Sequence, residues 1–211
     1  MAEDCGCTPT TLSEKPVAYR RALALVVGLN LGMGVVEMAA GLLARSQALK
    51  ADALDFLGDG AITGLALVAI GWSARARTRA ALLQGVFLAL LGVSVLAATT
   101  YRVLVVQMPD ASAMGIVGFL ALVVNVASAA LLLPHRQGDA NVRAVWLFSR
   151  NDALGNAAVI LAAGAVAVTG TPWPDLVVAV VIAGLFLHAA WDIVRDGMAE
   201  LREQAAAPAV S

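Results

Sequence analysis

The chain has 211 residues, 60% of them hydrophobic and only 14% charged, with a mean hydropathy of +0.83. That composition excludes an ordinary soluble globular domain, and the length suits one bundle of about six helices at roughly 20 apolar residues per membrane span. The net charge of −1 says nothing about partners, but the arginines stand at the ends of apolar segments rather than on one basic face, which excludes a nucleic-acid binder.

The opening MAEDCGCTPT is polar and acidic and lacks the basic and apolar regions of a secretory signal, so the first helix must serve as its own insertion signal. Residues 1–17 are expected to form a flexible cytoplasmic tail. Cys5 and Cys7, separated by one residue, are poorly placed for a mutual disulfide. They form either a soft, weak tail site for Zn2+ or Cd2+ or simply part of that tail.

Six apolar stretches follow, at 22–44, 51–72, 80–101, 111–133, 144–168 and 176–191. They predict an all-α membrane protein of six transmembrane helices over 18–194, with 195–211 as a short cytoplasmic tail and no C-terminal domain. Trp72, Trp146, Trp173, Trp191, Tyr19 and Tyr101 fall at segment ends, where an amphipathic ring prefers the headgroup level. Lys15, Arg20 and Arg21 precede the first segment, Arg75, Arg77 and Arg79 join the second and third, Arg136 and Arg143 join the fourth and fifth, and Arg195 and Arg202 follow the sixth. The opposite side has Arg45, Lys50 and Arg102. The positive-inside rule then places both termini in the cytoplasm of a multi-pass protein of the cell (inner) membrane. Gly28 with Gly32, and Gly60 with Gly64, have the spacing that lets helices approach closely.

The second segment carries Asp52, Asp55 and Asp59 on one helical face, and the fifth carries Asp152. A carboxylate in hydrocarbon costs roughly 2.5–3.5 kcal/mol, so acids there line a protein interior or a wet cavity and mark an ion or proton pathway. The second helix runs inward and the fifth outward, so Asp59 and Asp152 reach similar depth. Asp55, Asp59 and Asp152 then offer three oxygen ligands to a divalent cation, and a tetrahedral site needs a fourth ligand or a water. Asn156 shares the face of Asp152, Ser149 nearly does, and Asn151 is rotated by about 100°. These three, with Asp52 nearer the outer end and open to solvent, are candidate additional ligands. Arg150 either holds Asp152 charged or snorkels to the headgroups. Asn30 and Glu37 share a face of the first helix, where Glu37 either guides ions or protons or hydrogen-bonds a neighbouring helix. Asn125 is read as interhelical glue, and His188 as structural.

With these residues in place, the chain resembles the cation diffusion facilitator family of metal exporters. The stretch LNLGMGVVEMAAGLLARSQALKADALDFLGD is similar to the family's first two helices, and NDALGN to part of its fifth. The family's transport site combines an H/D-x-x-x-D pair on the second helix with another on the fifth. Asp55 and Asp59 match the first pair, Asp152 matches the second acid of the other, and Asp175 matches an acid often found before the sixth helix. The first ligand position on the fifth helix is here Phe148, whose ring cannot coordinate a metal. The resemblance implies a cytoplasmic metal-binding, dimerising domain that this sequence lacks, so a homodimer would form through membrane helices.

The expected activity is proton-coupled efflux of a divalent cation, with no enzymatic function and no cofactor. Zn2+ is the first choice, and Cd2+, Co2+, Mn2+ and Fe2+ are admitted by an oxygen-rich site. The alternative is a non-transporting membrane partner or metal sensor.

Overall fold

The computed structural model describes residues 17–68, 72–105, 107–133 and 140–206, and the side chains of residues 18, 19, 66, 74 and 140–151 lie outside that description. Six helices follow one another: α1 (Val17–Leu43), α2 (Gln47–Val68), α3 (Ala74–Leu104), α4 (Ala111–Leu132), α5 (Ala140–Thr169) and α6 (Trp173–Ala206). All except α2 include a stretch long and apolar enough to cross a membrane. α2 has the length, at 22 residues, but Lys50, Asp52, Asp55 and Asp59 break its apolar run. Such a helix is tolerable at membrane depth only if other helices enclose it. They do: α2 packs against α1, α3, α4, α5 and α6.

Side-chain chemistry starts several of these helices. Asp110 caps α4 by accepting from the backbone N–H of Ser112 (2.9 Å) and Ala113 (3.1 Å), and Ser73 caps α3 through the N–H of Ala76 (3.3 Å). α1 stops at a tight turn in which Ser46 N–H donates to Gly41 O (3.0 Å) and Arg45 N–H to Leu42 O (3.4 Å). That is a Schellman stop, and it puts Arg45 in the left-handed region at φ 56°, where glycine is the usual occupant.

The helices pair as antiparallel neighbours, α1 with α2, α4 with α5 and α3 with α6. Small residues set the close approaches. A Cβ built on Gly60 would lie 2.7 Å from Leu31, and one on Gly34 would lie 2.7 Å from Leu57. The spacing argument therefore holds for Gly60, and Gly64 makes ordinary contact with Val27, but Gly28 and Gly32 have nothing within 4 Å among the described residues. The glycines of α1 that do meet α2 are Gly34 and Gly41, because the face of α1 turned to α2 is the one bearing Glu37, not the one bearing Gly28.

The core runs along α2, α5 and α6 through Leu49, Ala51, Val159, Ala183 and Phe186, while Met33, Phe56 and Ala121 join α1, α2 and α4. Outside it, Leu43, Leu83, Leu161 and Val168 are more than two-thirds exposed, an arrangement suited to a lipid surround. Trp72, Trp173 and Tyr101 are exposed near helix ends, as an interfacial belt requires, whereas Trp191, expected at a segment end, is exposed midway along α6 because that helix continues to Ala206.

After residue 194 the chain continues as part of α6 as far as Ala206. α6 continues beside the start of α3: Gly197 abuts Leu82, Arg75 donates to the backbone O of Gln204 (2.9 Å), and Gln204 Nε2 donates to Thr78 Oγ1 (3.1 Å). An apolar stretch marks where a helix is greasy, whereas hydrogen bonding and packing partners mark where it ends.

Candidate metal centre

Three carboxylates converge inside the bundle. Asp55 and Asp59 stand one turn apart on α2, Asp152 comes from the antiparallel α5, and one oxygen of each lies within 4.8 Å of the others. The separation of Asp55 from Asp59 is a rise of about 6 Å, so a helix running the other way meets both with one side chain. All three keep partial accessibility, whereas the polar groups around them are sealed. Three oxygens at this separation suit a small divalent cation, which draws carboxylates together and offsets their repulsion and desolvation.

Asp52 corrects an expectation. Its place near the end of the span suggested solvation, but it is 2% exposed. Its Oδ2 accepts from Asn156 Nδ2 (2.6 Å), and Asn156 Oδ1 accepts from Asn125 Nδ2 (2.8 Å). The chain Asn125–Asn156–Asp52 joins α4, α5 and α2 through wholly buried groups. Asn125 is thus interhelical glue, as its sequence position suggested. Asn156, a candidate ligand, has both polar atoms committed to hydrogen bonds. The amide orientation is consistent throughout, because the donor from Asn125 leaves Asn156 only its Nδ2 to offer to Asp52. The cross-link sits one turn beyond Asp152 on α5 and less than one turn before Asp55 on α2, so it sets the register of the two helices that carry the site.

Glu37 on α1 is fully buried, lies beside Asp52 and has Asp55 within electrostatic reach. Its carboxyl is within hydrogen-bonding reach of the Asp52 carboxylate, a bond that requires one of the two to carry a proton, whereas Asn30 Oδ1 and Ser128 Oγ are buried with no partner among the described residues. Buried oxygens left without a partner are costly in an apolar interior.

Asp175 has a role that one sequence did not disclose. It is fully buried in the first turn of α6. Its Oδ1 accepts from Ser46 Oγ (2.5 Å) and from Ala48 N–H (2.9 Å), and its Oδ2 accepts from Gln47 N–H (2.8 Å). The start of α2 is therefore capped from another helix as well as by Ser46, whose Oγ accepts from Leu49 N–H (3.0 Å). Nearby, Arg102 donates to the backbone O of Arg45 and to Gln107 Oε1, and Asp110 N–H donates to Ala44 O at 2.9 Å. No signal in one sequence joins residues 128 positions apart; Asp175 stood out only through the family resemblance, as an acid often found before the sixth helix.

The remaining candidates fall elsewhere. Cys5 and Cys7 lie outside the described residues, as do the side chains of Phe148, Ser149, Arg150 and Asn151. His188 is exposed on α6 and pairs with Asp192 one turn later (3.6 Å), in keeping with a structural reading.

Comparison with known proteins identifies the family. Residues 23–202 match the model of the cation efflux transmembrane domain. The chain is 29% identical over 220 residues to the zinc transporter ZitB of Escherichia coli, covering 97% of this chain and 69% of that protein. It is 28% identical over 202 residues to the metal cation efflux system protein CzcD of Cupriavidus metallidurans, covering 90% of this chain and 64% of that protein. The family match spans all six helices and includes Asp55, Asp59 and Asp152. This multi-pass membrane protein belongs to the cation diffusion facilitator family of metal cation efflux proteins.

Proposed function

We propose that the protein exports a divalent metal ion, Zn2+ first among them, across the cell (inner) membrane in exchange for protons, with Asp55, Asp59 and Asp152 as the transport site. The observation that carries this reading is the convergence of three carboxylates from α2 and α5 within 4.8 Å in a membrane bundle. The names of the zinc transporter ZitB and the cation efflux protein CzcD support the choice of cargo. Cd2+, Co2+, Mn2+ and Fe2+ are secondary cargoes, because oxygen donors discriminate weakly against harder ions.

Protons enter through ligand chemistry. A carboxylate binds a metal only when deprotonated, so ion and proton compete for the same oxygens. Site exposure alternating between the two faces then moves metal one way and protons the other. Glu37 and Asn30 line the route beside the site, and Asp52 with Asn156 sets its geometry rather than adding ligands. All six helices span the membrane in this reading, α2 within the shelter of the others, and the surplus of arginine on one side of the sequence's segments supports a cytoplasmic position for both termini. Residues 18–194 form the transport unit, and a homodimer would pair through its lipid-facing helices.

The test is reconstitution of the purified protein into liposomes with Zn2+ and a pH-sensitive dye on opposite sides. Coupled Zn2+ and proton fluxes are expected. Zn2+ binding without either flux would identify a non-transporting sensor or partner instead.

A further inference from the structure

Asp175 is a fully buried acid outside the three-carboxylate cluster, and it accepts hydrogen bonds from Gln47 and Ala48 in the first turn of α2 and from Ser46 just before it. A helix start needs only a local cap, and Ser46 already provides one through the N–H of Leu49. The second cap, from α6, adds a constraint that the first does not: it fixes where the end of α2 sits in the bundle. Three acceptor contacts between 2.5 and 2.9 Å hold that end in depth and in rotation at once. Seven residues further along α2 stands Asp55, and four beyond that Asp59, both on a continuous helix that transmits any rotation of its first turn. Between the clamp and these acids, Asp52 is tied to Asn156 on α5. α2 is thus held to α6 at its start and to α5 one turn on, while its far end carries no comparable hydrogen-bond tie among the described residues.

We infer that Asp175 is a positioning residue for the ion site: through Ser46, Gln47 and Ala48 it holds α2 against α6 so that Asp55 and Asp59 meet Asp152 of α5. The inference rests on the reading of those three carboxylates as the ion site.

Equilibrium Zn2+ binding to the purified full chain in lipid nanodiscs, read by competition with a chromophoric chelator, tests it. Asp175→Ala is expected to weaken Kd by about tenfold, the scale of losing charge-assisted hydrogen bonds to a buried acid. Asp175→Asn keeps one acceptor oxygen but turns an amide N–H toward backbone donors, so it falls between. Ser46→Ala leaves both backbone bonds and loses less. In an Asp152→Asn background, where α5 offers no charged ligand to align with, the effect of Asp175→Ala is expected to shrink towards none. An unchanged Kd for a folded Asp175→Ala protein overturns the inference, and so does an equal loss in both backgrounds, which marks a general structural role. If Asp175→Ala does not insert, Asp175→Asn and Ser46→Ala carry the same cycle. A metal-free arm follows backbone hydrogen exchange along α2: faster exchange as far as Asp59 supports the clamp, and a change confined to the first turn counts against it. If Asp152→Asn alone leaves Kd unchanged, the ion-site reading fails, and the exchange arm still decides whether Asp175 holds α2.

Discussion

At the scale of single residues, the chemistry divides into acids that face one another and amides that hold them. Asp55→Asn, Asp59→Asn and Asp152→Asn each keep the shape but remove a charged oxygen from the cluster. Each is expected to lower Zn2+ transport in reconstituted vesicles by at least about a hundredfold, beyond the 10–100-fold typical of supporting groups. Insertion should survive, because each change relieves the cost of a carboxylate in hydrocarbon. Wild-type flux from any of the three would remove that residue from the site. Asn156→Ala acts differently. It strips a donor from buried Asp52 and an acceptor from Asn125, so Zn2+ affinity should fall by about tenfold and stability by about 1–3 kcal/mol. Restoring the amide oxygen alone, as in Asn156→Asp, should not recover affinity, since Asp52 would then face an acceptor. Equal recovery by Asp would show that the cross-link does not set the register.

At the scale of elements, the helices are placed by close approaches and by turns. Gly92 of α3 faces α6 so closely that a Cβ would lie 3.0 Å from Leu187 and 3.2 Å from the backbone O of Ala183. Gly92→Leu must push α3 from α6 and is expected to destabilise the bundle by about 1–3 kcal/mol, read as a lower thermal midpoint in detergent. Gly28, with nothing within 4 Å among the described residues, is the control: Gly28→Ala should be neutral or stabilising by up to about 1 kcal/mol through helix propensity. If both substitutions cost alike, packing is not what Gly92 supplies. The turn between α1 and α2 offers the reverse test. Arg45 holds φ 56° with its side chain exposed, so Arg45→Gly is expected to stabilise by about 1 kcal/mol, with the Arg102 bond to its backbone O retained. A lowered thermal midpoint would mean that the Arg45 side chain contributes more than its backbone costs.

At the scale of the whole molecule, the proposed exchange predicts that an acid-lined site inside a lipid-facing bundle couples metal movement to a proton gradient. Zn2+ flux in vesicles with the membrane potential clamped should rise when the compartment receiving the metal is acidic, because protons there replace the ion on the carboxylates, and should fall when the gradient is reversed. Flux indifferent to the size and sign of the gradient would rule out exchange and leave a uniporter. α2 is the element on which this scheme turns. It breaks the apolar run with four charged residues over ten positions, and it crosses the bundle only because five other helices surround it.

The number of helices, their approximate places and the identity of the three converging acids were all legible in the sequence. Hydropathy over some twenty residues and the 3.6-residue period are local properties, and an acid in an apolar run stands out because hydrocarbon penalises it wherever it lies. The facing of Asp59 and Asp152 also followed, since two antiparallel helices of known rise meet at a calculable depth. The partnerships of Asp52, Asn125, Asn156 and Asp175 did not follow, nor did the choice of Gly34 over Gly28 as a packing position. Each depends on the rotation of one helix about its own axis relative to another, and segment hydropathy leaves that angle open. Only the packed bundle decides it, by bringing Asp175 to the start of α2 and Asn156 to Asp52 from more than a hundred residues away. The physical reason is that local burial pressure selects which segments enter the membrane, whereas hydrogen bonds between buried polar groups, having no water to satisfy them, select how those segments turn toward one another.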